Sequence, residues 1–243
     1  MPSDKPAKRA DQLGHRPKRF WKDVTVTDDF GIALDGRAVK TPSGAPLILP
    51  NRALAQAVSA EWSAVGEHVD YDAMPLTRLG FAAIDRMPDM QDEIVTEVLR
   101  YADTDLICYP SEYPASLTER EHEAWDPVLH WVGHDLGLEF HQNLTLIHQP
   151  QPAQTLERLQ AFVRGMTPYE QAGLMSATPL LGSVILALAL WDGHLTGEAA
   201  FSASTVGETF QAAIWGHDAE AEQRRNGMKA HAVSLETWFS ALR

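Results

Sequence analysis

Asp35-Gly-Arg-Ala-Val-Lys-Thr-Pro-Ser-Gly-Ala-Pro-Leu-Ile-Leu-Pro-Asn51-Arg-Ala-Leu54 is the stretch where one kind of structure gives way to another. Asp35-Gly36 is a strong two-residue hairpin signal, because both central positions of the favoured turn need a positive φ. Thr41-Pro-Ser-Gly44 marks a second turn. Upstream, Phe20, Val24 and Val26 sit among threonines, as half-buried strands require. A small antiparallel meander of three or four strands is expected over 19–50, and so few strands need helices to pack on. Asn51 then reads as a helix cap, with Leu54, Val58, Trp62 and Val65 following at helical spacing.

From there the pattern is helical almost to the end. Pro75 and Pro88 are placed to open the next two helices, the second burying Ile94, Val98, Ala102 and Leu106. Further helices are expected at about 118–136, 154–164, 168–191, 197–215 and 219–242, with Leu144-Thr-Leu-Ile147 as a short strand or extended linker. The fold class is α+β: a basic, proline-containing tail over 1–18, a strand-rich unit over 19–50 and a helical domain over 51–243.

Composition narrows the partners. The 243 residues are 44% apolar, enough to bury a sizeable core. The longest apolar run, Leu180 to Trp191, falls well short of the roughly 20 residues that span a bilayer, so no membrane insertion is expected. No secretory or transit segment is legible at the N-terminus, and a cytoplasmic home is the simplest expectation. The net charge is −13, although residues 1–22 hold seven Lys or Arg against two acids, so the remainder is more acidic still. That disfavours nucleic acid, whose phosphates need a concentrated positive surface. The single cysteine, Cys108, lies in an apolar run and reads as a small core residue.

Several chemistries lack their parts. The chain has no Gly-Lys pair and hence no phosphate-binding loop, no Rossmann glycine fingerprint, no nucleophile elbow and no Cys-x-x-Cys. No cofactor is expected. The best enzyme alternative is a metal-dependent hydrolase on the row His122, Asp126, His130 and His134, since residues four apart share a helix face. Asp126-Pro127 reads as a helix cap that interrupts this row, and the preferred reading is a polar helix face with Trp125 and Trp131 turned inward. The crowded acids Glu119, Glu121, Glu123 and Asp126, with Asp103 and Asp105 nearby, read as complements to helix dipoles rather than a glycosidase pair.

The segment Glu198 to Trp215 carries more information. Ala203, Val206, Phe210, Ala213 and Ile214 make a core-facing stripe on one continuous helix, and Phe201, Glu208, Ala212 and Trp215 lie opposite. Two apolar faces mean either a helix buried on both sides or a face kept for a partner. Glu208, between two aromatics, must be paired internally, with Arg224, Arg225 or Lys229, or await a donor from outside. Asp218 reads as the cap of the next helix.

Phe20-Trp-Lys22, Gly36-Arg-x-Val-Lys-Thr-Pro42, Pro46-Leu, Ala60-Glu-Trp62, Ala83-Ile-Asp85, Tyr101-Ala-Asp-Thr-Asp105-Leu-Ile-Cys-Tyr109 and Gln211-x-x-x-Trp-Gly216 occur in order along the chain. Together they resemble the assembly chaperones that act on the alpha subunit of the ATP synthase catalytic head, in mitochondria and related bacteria. The resemblance implies an N-terminal strand-rich part and a larger helical part, ATP-independent binding of the free alpha subunit, no enzymatic activity, and a cytoplasmic or mitochondrial-matrix location. With such a client, the candidate partner-binding residues are those of the second face, Phe201, Glu208, Ala212 and Trp215, together with Gln211 from the matching motif. The family pattern usually has two adjacent acids at the segment matching Gly207-Glu208, so Glu208 alone serves here. An interaction module with an unrelated client remains the other non-enzyme reading.

Overall fold

The computed structural model describes residues 17–144, 147–216 and 219–243. Three strands, β1 (Val24–Val26), β2 (Ile32–Leu34) and β3 (Arg37–Ala38), form an antiparallel sheet in sequence order, with Val24 opposite Leu34 and Ala33 opposite Ala38. Asp35 and Gly36 take φ of 47° and 77°, the left-handed pair that a tight hairpin requires. The Asp35 carboxylate also accepts from the Asp23 and Lys22 amides, which holds it below the usual carboxylate range. Isolated bridges at Lys40–Pro46 and Gly31–Ile48 carry the meander on to Pro50.

α1 (Arg52–Ala64) begins where Asn51 Oδ1 accepts from the Leu54 amide at 2.9 Å. The Asn51 Nδ2 donates to the Ala241 carbonyl at 2.8 Å, tying the first helix to the last. Leu54, Val58, Trp62 and Val65 are all buried, and the Trp62 ring lies 5.4 Å from Trp21 below the sheet. Sheet and helices share one core, from Trp21 through to Phe239.

α2 (Pro75–Asp85) starts on its proline, and α3 (Gln91–Asp103) buries Ile94, Val98 and Ala102. Pro88 does not open α3. It sits in a 3-10 turn at Met87–Asp89. Leu106 likewise leaves the helical row, because the chain tightens into a 3-10 turn at Leu106–Cys108. Asp105 is fully buried there, accepting from the Ile107 and Ile185 amides at 3.2 and 3.1 Å, while desolvation pushes its carboxyl up to about 6. Cys108 is buried and its thiol is pushed up by the same cause.

α4 (Ala115–Asp135) runs through Asp126-Pro127 without a break, so the expected cap is an error. Pro127 removes one amide donor, and it does so on an exposed stretch, where the carbonyl left without that donor is open to solvent rather than buried. α5 (Ala153–Gly165) follows. Leu144 and Ile147 are exposed and flank two residues outside the described ones.

The helix expected over 168–191 is two, α6 (Pro168–Leu181) and α7 (Val184–Asp192). Gly182 takes a left-handed φ of 64°, and Ser183 Oγ caps the second by accepting from the Leu186 amide. Val184 to Leu190 are all buried, which makes α7 the central helix.

The helix expected over 197–215 is also two, α8 (Gly197–Ser204) and α9 (Val206–Trp215). Thr205 Oγ1 takes the Phe201 carbonyl at 2.9 Å and Trp125 Nε1 takes the Ala203 carbonyl at 2.8 Å, so α8 ends on side-chain donors. α8 packs on α10 (Ala219–Leu242) so closely that a Cβ on Gly197 would strike the Ala232 carbonyl. The expected cap Asp218 lies outside the described residues.

Candidate partner-binding site

The break at Thr205 decides what α9 presents. Its sequence, Val-Gly-Glu-Thr-Phe-Gln-Ala-Ala-Ile-Trp, contains six apolar residues in ten, yet none is buried. Ile214 is 59% exposed and Trp215 86% exposed. Isolated exposed apolar residues need no explanation, but an apolar helix with no buried position does.

α9 is held from one side by α4, where the Arg120 guanidinium lies 5.3 Å from the centre of the Phe210 ring. α4 thus touches both halves of the broken segment, Trp125 meeting Ala203 of α8 and Arg120 meeting Phe210 of α9. Tyr113, in the turn before α4, is 85% exposed as well.

The residues expected to share a face divide between two helices. Phe201 is on α8 and only 4% exposed, so it belongs to the core. Glu208, Gln211 and Trp215 are exposed on α9, with Ala212 half-buried beside them. Ala213 and Ile214, read as core positions, are exposed instead. Ile214 and Tyr113 are apolar surface that the periodicity assigned elsewhere or passed over. Their only sequence signal is proximity to Gly216 and Pro114, where elements end.

Glu208 makes no ion pair among the described residues. Its three candidate partners are otherwise engaged or distant: Lys229 pairs with Glu198, Arg225 Nη2 donates to Thr209 Oγ1 at 2.8 Å, and Arg224 forms no contact with it. Glu208 thus offers an unpaired acid beside exposed Trp215.

The other candidate groups are structural in their surroundings. His122 pairs with Asp126 at 3.0 Å, and the His130 and His134 rings stack 6.1 Å apart. Among the described residues no three His, Cys, Asp or Glu side chains converge to hold a metal. Glu121 is buried and accepts from the Ser111 amide and hydroxyl, which fixes the turn before α4. A cavity of about 1050 Å³ between α2, α6 and α10 holds Ser176 Oγ 3.1 Å from His231 Nε2. Burial and the nearby Arg78 lower the His231 ring below its ordinary value. Among the described residues His231 has no second hydrogen-bond partner to orient it, so the pair lacks the third group of a nucleophilic triad.

A small sheet backed by a helical body leaves one mostly apolar helix without a buried residue. Known proteins share this architecture. The family model described as ATP12 chaperone protein matches residues 18–133. The mitochondrial protein atp12 of Schizosaccharomyces pombe is 26% identical over 236 residues, covering 89% of this chain and 81% of its own. The crystal structure of Atp12 from Paracoccus denitrificans is 33% identical with a TM-score of 0.85, covering 93% of this chain and 99% of that one. A solved protein of Agrobacterium tumefaciens is 36% identical with a TM-score of 0.86, covering 93% and 87%. The chain belongs to the ATP12 chaperone family.

Proposed function

We propose that this protein is an ATP-independent assembly chaperone of ATP synthase, which binds the free alpha subunit of the catalytic head through the outer face of α9. The observation that carries the reading is α9 itself, six apolar residues in ten with none buried. A stable complex buries at least about 1,000 Å² in total, more than one ten-residue helix provides, so the contact reaches beyond α9 onto the surface around it. Aromatic side chains are frequent energetic centres of such contacts, and Trp215 fills that role here. Glu208 waits for a cationic donor on the client, and the acidic body speeds encounter with a positive client surface.

Covering an apolar client surface requires no hydrolysis, so the reading assigns no enzymatic activity. It places the protein with its client, in the bacterial cytoplasm or the mitochondrial matrix. No helix among the described residues is long and apolar enough to cross a membrane.

The test is capture of purified alpha subunit by this protein and by Trp215→Ala. The variant should keep its melting temperature and lose about tenfold or more in affinity. Undiminished capture by Trp215→Ala together with Ile214→Ala would remove α9 from the interface.

A further inference from the structure

Behind α9, between α4, α8 and α10, lies a second cavity of about 480 Å³. Its polar lining includes Arg120, Ser202, Thr209, Glu222, Arg225 and Lys229. Three cations in one cleft are unusual in a chain with 33 acids and 20 Lys or Arg. Lys229 is neutralised by Glu198. The two arginines are not neutralised: among the described residues neither has a carboxylate within salt-bridge distance. Glu222 lines the same cleft without pairing to either.

Arg225 is held in place, with Nη2 on Thr209 Oγ1, while its Nε is buried and has no acceptor. A buried donor without an acceptor is costly unless something supplies one. Arg120 is held over Phe210 with all its N–H groups uncommitted. A carboxylate is the group that fits, since it accepts from a guanidinium edge through two oxygens at once.

We propose that this cleft receives an acidic side chain of the client, bound by Arg225 and Arg120 as the client docks on α9. The proposal rests on the reading that α9 is the docking face. It adds a charge requirement of opposite sign to that of Glu208: the client must present a cation to the outer face of α9 and an anion behind it. Two opposite charges on two sides of one helix fix the orientation of the partner, which apolar contact alone leaves loose.

The experiment measures capture of purified alpha subunit by the wild type, Arg225→Gln, Arg120→Gln, the double variant and Trp215→Ala, each checked by thermal denaturation. The expected result is a loss of about tenfold or more in each arginine variant, at unchanged melting temperature. Raising salt from about 0.05 to about 0.3 M should weaken the wild type more than the double variant. If Arg225→Gln proves unstable, exposed Arg120→Gln carries the test alone. Loss of capture in Trp215→Ala with wild-type capture in the arginine variants overturns the cleft and leaves the docking face standing. Wild-type capture by all of them overturns both. Inorganic phosphate, at about 10 mM, supplies the last arm. If it raises the melting temperature of the wild type but not of a double variant that still captures client, the cleft binds small anions and the proposal falls.

Discussion

α7 and α9 are close in length, nine and ten residues, and both are mostly apolar, yet α7 is buried from Val184 to Leu190 and α9 has no buried residue. In α7 every residue from Val184 to Leu190 is buried, with α6, α8 and α10 around it. α9 rests mainly on α4. Apolar content does not decide which helix becomes core; the number of neighbours that close around it does. α7 is capped at both ends by local signals, Ser183 and Gly193, and sits between long helices. α9 follows a break enforced from outside by Trp125 and ends on Gly216 beside residues outside the described ones. An apolar helix left open in this way forgoes the burial that stabilises α7, which is why we read it as a docking face.

The comparison breaks most visibly by substitution on each helix. Leu188→Ala, in α7, should cost about 2–5 kcal/mol, because the enclosing side chains cannot collapse into the gap. Ile214→Ala, in α9, should change stability by less than about 0.5 kcal/mol. Trp62→Arg belongs with the first: the ring is buried between Trp21 and the α1 stripe, and an unpaired guanidinium there should prevent folding. Urea unfolding measures all three. Equal losses at Leu188 and Ile214 would mean that α9 is core after all.

The same contrast explains what could be read without coordinates. Asn51, the Leu54/Val58/Trp62 stripe and the Asp35-Gly36 turn are local features whose meaning is settled within a few residues, and each takes its expected form. Gly182-Ser183 is also a local stop signal, overlooked because apolar residues continue on both sides of it. The break at Thr205 is different. Thr205 donates locally to the Phe201 carbonyl, but the bond from Trp125 to Ala203 comes from 78 residues away, and no window around Thr205 contains that part. A helix wheel drawn through the break rotated Ile214 into the core and Phe201 out of it. The two exchanged places, whereas Glu208, Gln211 and Trp215, all on one side of the break, stay exposed together.

A second test probes how α7 is anchored. Asp105 accepts from the Ile185 amide at the start of α7, with its carboxyl raised from 3.8 to about 6 by burial. A raised carboxyl binds its proton more readily folded than unfolded. Its stabilisation is therefore present below about pH 4 and is lost as the pH rises through 6. Asp105→Asn abolishes this titration. The stability of the wild type relative to Asp105→Asn should rise by about 2 kcal/mol as the pH falls from about 6 to about 4. His231, lowered by burial, acts in the opposite sense: its stabilisation is lost as the pH falls through 6.5 toward its folded value. It is common to both proteins and cancels from the difference. A difference independent of pH would show that Asp105 titrates normally and does not anchor α7 as a buried charge.

Only a small effect on stability is expected at Glu208, and that makes it an informative position on α9. Glu208 is exposed and pairs with nothing among the described residues, so Glu208→Lys removes no internal contact. The melting temperature should stay within about 2 °C. A lysine in the first turn opposes the helix dipole, but at an exposed site this is worth only about 0.3–1 kcal/mol. Capture of alpha subunit should nevertheless fall, because the substitution meets the client's donor with a like charge. The loss should shrink as salt rises, since an exposed pair is screened within about 10 Å at moderate ionic strength. Glu208→Gln separates charge from shape: it should retain more capture than the lysine variant and show less salt dependence. A large drop in melting temperature would place Glu208 in an internal network. Full capture by a stable Glu208→Lys would restrict the interface to the Ile214 and Trp215 end of the helix.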